Sequence, residues 1–419
     1  MDVAHGATDS SLRVSDKPPE VAGFPPGESL TSVRRAARHI GIDVARGCAV
    51  LGMFATHLGP QTATGWTYQA FNGRAAGLFA LLAGVSVALV TGGSQPRTGG
   101  PLALRCVQLA VRAALLFLLG LGLTLLGTTI KEILTVYAVL FLVAIPLVKL
   151  PAGTLAVLAA NLAITGPLLS FLLRSTVLNG YEGGHVPQAA TLVSADGWAA
   201  ALEGILITGP YPVLTWLPLV LAGMAVGRLD LGAGRVQYAL LGGGAALAAG
   251  AYALSWTVME PLGGWRAVSA SMGIPVGEAR TLNATGLGAV STGHPLMLLD
   301  TAGHSGSPME IFAVTGLALA VIGLCLVLAR GVPVLLYPLA SVGALPLTAY
   351  AGHIVLIAAL QLGFAPGFSS AILAGSSVPL AVTVAVTLLA LPLWRRFIGR
   401  GPLEWLLHRV STAVTPNRG

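Results

Sequence analysis

The sequence predicts an all-α polytopic membrane protein, a single bundle of about ten transmembrane helices. The 419-residue chain is 55% hydrophobic and only 9% charged, with a mean hydropathy of +0.81. A water-soluble domain does not reach that balance, because its surface needs far more polar residues. Apolar runs of helical length also follow one another with few long polar breaks, so a length that would suit two or three soluble domains reads as one bundle. The net charge of +7 does not point to nucleic acid, since the basic residues sit at the ends of apolar runs instead of forming one basic face. Cys48, Cys106 and Cys325 each fall inside an apolar run, where a thiol packs as a small residue. Their odd number argues against a disulfide framework.

Taken in order, residues 1–38 are polar and carry Pro18, Pro19, Pro25 and Pro26 without apolar periodicity, which predicts a disordered cytoplasmic tail. Arg34, Arg35 and Arg38 resemble the charged start of a signal peptide, but the apolar run after them lacks a small-residue cleavage site and is read as a retained span. That run, Ile40–Leu58, holds Asp43, Arg46 and His57. Ionised groups inside a bilayer cost at least a few kcal/mol unless a partner or a function compensates, so these three are the first candidates for chemistry. Arg46 and His57 share a helix face about three turns and about 16 Å apart, and Asp43 lies one turn before Arg46 as its ion-pair partner.

Nine further runs are expected as spans, near 74–94, 102–127, 130–149, 152–174, 208–228, 236–258, 309–329, 340–363 and 371–395. They complete a transmembrane domain over 39–400, followed by a short cytoplasmic tail over 401–419 whose Trp405, Leu406, Leu407 and Arg409 suit an interfacial helix. With both termini cytoplasmic, Arg97, Lys149, Arg228, Arg235, Arg330, Arg395, Arg396 and Arg400 lie inside, and Arg74, Lys131, Arg174, Arg266 and Arg280 outside, as the positive-inside rule favours. His57 and the two longest loops, about 176–207 and 259–308, then face outward. These loops hold Glu182, His185 and Asp196, and Glu260, Glu278, His294, Asp300 and His304. Trp66, Tyr68, Tyr211, Trp216, Trp256, Trp265 and Trp394 near span ends read as an interfacial aromatic belt.

Smaller motifs have structural readings. Ser307, Pro308 and Glu310 fit the N-cap, first turn and third position of a helix start, Gly223 and Gly227 form a small-xxx-small packing pair, and Asn283 opens an N-x-T sequon. No internal duplication, zinc spacing, phosphate loop or serine elbow is evident.

The motif GIDVARG at 41–47, its continuation AVLGMFATH and the ten-residue interval between Arg46 and His57 resemble the opening helix of the transmembrane acyltransferases. These comprise the heparan-alpha-glucosaminide N-acetyltransferase and YeiB-like group and, more distantly, the acyltransferase-3 group. The stretches NGRAAGLFALLAGVSVAL (72–89), TWLPLVLAGMAVGRL (215–229), HSGSPMEIFAVTGLALAVIGLCLVLAR (304–330) and ASVGALPLTAYAGHIVLIA (340–358) are similar in order and character. The resemblance implies a plasma-membrane enzyme of ten or eleven helices that passes an acyl group, typically acetyl from cytoplasmic acetyl-CoA or another acyl-CoA, to a sugar, glycolipid or similar polar acceptor outside. It implies no metal.

Arg46, with Arg105 and Arg112 seven residues apart on one helix face, suits the phosphates of the coenzyme, since guanidinium stays charged in apolar surroundings and binds phosphate bidentately. His57 suits the role of general base or acyl carrier. Asn72, Asp300, His304 and His353 are acceptor-side candidates. The eukaryotic acetyltransferase carries its catalytic histidine in the loop after the first helix, and residues 59–73 here contain none, so the burden falls on His57. Bland readings stay open beside these: a structural Asp43–Arg46 pair, an Arg105 that snorkels to the interface, an interfacial His57, a His353 hydrogen-bonded within the bundle. A transporter or lipid flippase lined by the same charges is the alternative function. Expected partners are the bilayer, acyl-CoA and the polar acceptor, with a homodimer as an option, and not nucleic acid.

Overall fold

The computed structural model describes residues 30–60, 65–178, 185–284, 286 and 288–414. Most of the expected N-terminal tail, residues 1–29, and Glu182 lie outside the described residues. Among the described residues the regular structure is all helical, with no strand. The helices are α1 (Leu30–Leu58), α2 (Trp66–Phe71), α3 (Arg74–Val90), α4 (Gly99–Thr124), α5 (Leu134–Ala144), α6 (Ala152–Thr176), α7 (Ala195–Glu203), α8 (Val213–Gly227) and α9 (Gly234–Met259). They continue as α10 (Gly264–Met272), α11 (Val276–Ala284), α12 (Pro308–Gly331), α13 (Tyr337–Ala344), α14 (Pro346–Gln361), α15 (Pro366–Leu373), α16 (Val378–Phe397) and α17 (Pro402–Ala413).

All ten expected runs are helical, but they do not cross alike. Six helices are long and apolar enough to span a bilayer: α2–α3 as one unit, α4, α6, α9, α12 and α16. Two bent pairs, α7 with α8 at 55° and α13 with α14 at 81°, pass the same test when each pair is taken together, as a broken span or a re-entrant loop. The remaining runs are α1, whose charged residues lower its hydropathy, and Leu134–Leu147, which at about 1.5 Å per residue is about 21 Å long and shorter than a typical hydrocarbon core. The protein is therefore an all-α, multi-pass membrane protein.

α1 is the axis of the bundle. It packs against α3, α12 and α13, and more lightly against α14 and α16. Val44, Ala45, Ala49, Val50, Phe54 and Leu58 point into the core on all sides, as expected of a helix enclosed by neighbours. The α3–α8 contact is close because a Cβ on Gly223 would run into the Leu81 backbone oxygen and one on Gly227 into the Ala88 methyl, which is the small-residue packing expected of that pair. The loop over 259–308 is not irregular. It folds into α10, α11 and a turn at Pro295–Leu299, closed by a small core of Met259, Trp265, Val268, Val290 and Met297.

Three of the aromatic residues assigned to an interfacial belt are instead buried: Tyr211, Trp216 and Trp265 are 7%, 5% and 8% exposed. Trp265 belongs to the loop core, and Tyr211 meets Trp216 edge to face with ring centres 5.0 Å apart, so packing within the fold wins over contact with the membrane surface. Trp66, Trp256 and Trp394 do stay exposed.

Candidate functional site

Two cavities flank α1, one toward each end. The first, about 270 Å³, is lined by Arg46 and Ser86, by Arg112 of α4, by Tyr137 of α5, by Leu347 of α14 and by Glu404 and His408 of α17. Arg46 is oriented by Asp43 Oδ1 at 2.8 Å, as the one-turn spacing predicts. It also donates to the Gly343 carbonyl at 2.8 Å and to Ser86 Oγ at 3.3 Å. Arg112 brings a second cation to this lining, and its Nε is buried with no hydrogen-bond partner. Arg105 does not join them. It lies two turns away, bonded to Gln108 Oε1 at 2.7 Å, and outside the cavity lining.

The second cavity, about 320 Å³, is lined by Thr56 and His57 at the end of α1, by Tyr68 and Asn72, by Lys131, Tyr211 and His304. His57 Nδ1 lies 2.9 Å from His353 Nε2, with the rings parallel within 3° and their centres 5.2 Å apart. His353 is 3% exposed, set between Phe54 and Tyr350 with ring centres 4.9 and 5.2 Å away. His353 thus faces His57 directly and does not line the second cavity. Two neutral imidazoles at this distance share one proton, one nitrogen donating and the other accepting.

His304 enters the second cavity from the opposite side. Its backbone occupies the left-handed region at φ 60°, where only Gly and short polar residues settle readily. Glu310 at the start of α12 holds it there. The carboxylate accepts the backbone N–H groups of His304 at 2.5 Å and Gly306 at 2.6 Å, and the Ser305 hydroxyl at 3.3 Å. Ser307 Oγ accepts the Glu310 N–H at 2.9 Å as the expected N-cap, but the Glu310 side chain serves the loop before the cap and does not return to Ser307. The His304 ring stacks on Trp216 and meets Tyr211 edge to face, and burial pushes its imidazole down to about 4. Strain held by several partners is typical of functional loops.

Asn72 reaches the site because Gly73 takes φ 72°. A side chain there would collide with Glu310 Oε1 and Gly303, so glycine lets α2 turn into α3 against the His304 loop. Asp300 does not line the cavity. It accepts from the Asn283 amide and the Ala302 N–H, and burial lifts its carboxyl above the ordinary range, which fits a loop staple. Sequence reasoning did not single out Lys131, Tyr68, Tyr211, Ser86 or His408 as site residues. Lys131 had one signal, a cation on the outward side of a span.

The model of the family "Heparan-alpha-glucosaminide N-acetyltransferase, catalytic" matches residues 38–252, which carry Asp43, Arg46, His57, Asn72, Arg105 and Arg112. A family described as "Protein of unknown function (DUF418)" matches residues 276–413, which carry His304, Glu310 and His353. A comparison with the curated proteins finds no relative. With the first family covering half of the chain and the second most of the remainder, the chain belongs to the transmembrane acyltransferase superfamily of the heparan-alpha-glucosaminide N-acetyltransferase and YeiB-like group.

Proposed function

We propose that the protein is a plasma-membrane acetyltransferase that takes an acetyl group from cytoplasmic acetyl-CoA and passes it to a polar acceptor, a sugar or glycolipid, on the other side. One observation carries this reading: a single helix presents Arg46 to one cavity and His57 to another, in a family whose members transfer acetyl groups. Arg46 and Arg112 receive the coenzyme phosphates by charge-assisted hydrogen bonds. Arg105 supplies long-range attraction from the rim. The pantetheine arm follows α1 and brings the thioester to the second cavity.

There the His57 ring acts as general base. With its Nδ1–H donated to His353 Nε2, the Nε2 lone pair is free to take the proton of the acceptor hydroxyl or amine as that atom attacks the thioester carbonyl. The Asn72 amide and the Tyr68 hydroxyl are donors suited to the developing oxyanion. Collapse of the tetrahedral adduct breaks the C–S bond, and the departing CoA thiolate takes the proton back from His57. Protons and electrons balance without a metal ion or redox partner. Acetyl-CoA binding to the purified protein, compared among wild type, Arg46→Ala and His57→Ala, tests the reading. Binding should weaken in the Arg46 variant and persist in the His57 variant, in which release of CoA stops. Wild-type protein that binds no acyl-CoA would overturn it.

A further inference from the structure

Two histidines line the second cavity, His57 from the end of α1 and His304 from the loop before α12. His57 has a partner in His353, whereas His304 Nδ1 is buried without a hydrogen bond. The polar groups around His304 hold its backbone instead of its ring. Glu310 takes the His304 N–H at 2.5 Å, and the His304 carbonyl accepts the Gly288 N–H at 2.7 Å. The ring is set against Trp216, 21° from parallel with centres 6.1 Å apart, and against the edge of Tyr211 at 5.4 Å. The Tyr211 hydroxyl is given to the Lys131 carbonyl at 3.0 Å.

An imidazole fixed by backbone strain and ring packing, with a buried nitrogen left unserved, is an arrangement that a ligand completes. Burial also decides the tautomer. A neutral imidazole carries one N–H and one lone pair, and among buried backbone groups an orphaned N–H is rarer than an under-used acceptor. The same cost puts the lone pair on Nδ1 and the proton on Nε2, the nitrogen left for the cavity. With its basicity pushed down to about 4, the ring is a poor acceptor of protons and stays an uncharged N–H donor at neutral pH. Asn72 stands beside it: a Cβ added to Gly303 would come within 3.0 Å of the Asn72 amide nitrogen, so the His304 loop and the turn into α3 meet at the cavity wall.

We propose that His304 is a second catalytic histidine of this cavity, an electrophile whose Nε2–H, beside the Asn72 amide, binds the thioester carbonyl oxygen while His57 takes the acceptor proton. The proposal rests on the acetyl-transfer reading above and gives the two imidazoles different tasks. As the acceptor atom bonds to the carbonyl carbon, the C=O π pair moves to oxygen and the hydrogen bond from Nε2 strengthens. When C=O re-forms, the C–S pair leaves with the thiolate. His304 keeps its proton throughout, and the acceptor proton passes through His57 to the sulfur.

The test uses full-length protein in phosphatidylcholine nanodiscs and acetyl-CoA carrying 13C at the thioester carbonyl, read by isotope-difference infrared spectroscopy in the His57→Ala background. The bound carbonyl band should lie at lower wavenumber than that of free acetyl-CoA. Adding His304→Phe, which keeps an aromatic ring against Trp216 and removes both nitrogens, should return it toward the free position. With His57 intact, His304→Phe should slow CoA release in membrane vesicles about 10²- to 10³-fold, the loss expected for one oxyanion donor, with acetyl-CoA affinity within a few-fold of wild type. His304→Gln, whose amide nitrogen stands near the place of Nε2, should regain part of the shift and of the rate. His304→Asn, whose amide matches Nδ1 and which accepts φ 60° readily, should regain neither.

A bound carbonyl band that His304→Phe leaves unmoved, or CoA release within a few-fold of wild type in folded His304→Phe and His304→Asn proteins, overturns the role of His304 and leaves the transfer reading standing. Protein with His304 in place that shows no bound acetyl-CoA band overturns the transfer reading, and this role with it.

Discussion

Replacing His353 tests how the candidate base is held. Its Nε2 is the hydrogen-bond partner of His57 Nδ1 at 2.9 Å. His353→Ala deletes a bond worth about 1 kcal/mol net, and releases His57 to rotate and to exchange tautomers. A general base contributes about 10²- to 10⁴-fold to rate, which sets the loss expected for His57→Ala. At about 1.4 kcal/mol per tenfold, losing that bond should slow the reaction about fivefold, well short of the loss in His57→Ala. The ring also packs on Phe54 and Tyr350, so the alanine variant should lose stability by about 2 kcal/mol or more. His353→Gln, which keeps an amide able to donate or accept, should recover most of the rate. The assay is CoA thiol release from acetyl-CoA in membrane vesicles, with acetyl-CoA binding measured in parallel. A folded His353→Ala protein that turns over at the wild-type rate, or one whose rate falls only in step with acetyl-CoA binding, would refute the pairing as a catalytic arrangement.

Arg46→Ala and Arg112→Ala should each weaken acetyl-CoA binding about tenfold or more, since charge-assisted hydrogen bonds contribute about 1.5–3 kcal/mol. Arg46→Lys should recover little, because ammonium lacks the planar fork; titration calorimetry in detergent reads both. Glu310→Ala strips the acceptor from two backbone N–H groups and a hydroxyl. At about 1–3 kcal/mol per buried donor left unmade, it should lower the thermal midpoint by several degrees and abolish CoA release, whereas a purely local cap would cost only about 1 kcal/mol. His304 is held at about 4 against 6.5 when free, so the unfolded chain binds more protons between those values. Its contribution to stability is therefore full above about pH 6.5 and is lost as the pH falls toward 4, by at most about 3 kcal/mol. The fall in thermal midpoint from pH 7.5 to 5 should accordingly be smaller in His304→Gln than in wild type.

Local features of the sequence carried over into the structure, and long-range ones did not. The Asp43–Arg46 pair is legible because both partners lie on one helix turn and their charge stands out against apolar neighbours. Ser307 as N-cap and Gly223 as a packing residue are legible for the same reason, since each acts within its own helix or on the helix beside it. The His57–His353 contact joins residues 296 positions apart and depends on the bend between α13 and α14, which no periodicity reports. Arg105 and Arg112 share a helix face, yet only Arg112 meets the cavity, because the surrounding helices decide how far along α4 the cavity extends. Tyr211 and Trp216 lie near span ends, where aromatic residues suit the membrane surface, and only the folded loop over 259–308 shows that they are covered by His304.

The bend itself explains why the cavity beside Arg46 forms where it does. Breaking a helix at Leu345 and Pro346 releases backbone groups that lipid cannot satisfy, so such a break persists only where protein supplies the partners. Here Arg46 takes the freed Gly343 carbonyl, and Glu404 of α17 accepts the Leu347 and Thr348 N–H groups at 2.8 and 3.0 Å. The charged residue that marks α1 as unusual is thus also what allows α13 and α14 to bend, and the bend carries His353 to the side of His57. Removing Arg46 would strip the cavity of a cation and leave the break with an unpaired carbonyl. The Arg46 variants must for that reason be judged by acetyl-CoA affinity and thermal stability together: a loss of affinity with the midpoint held belongs to the ligand, and a fall in both belongs to the bend.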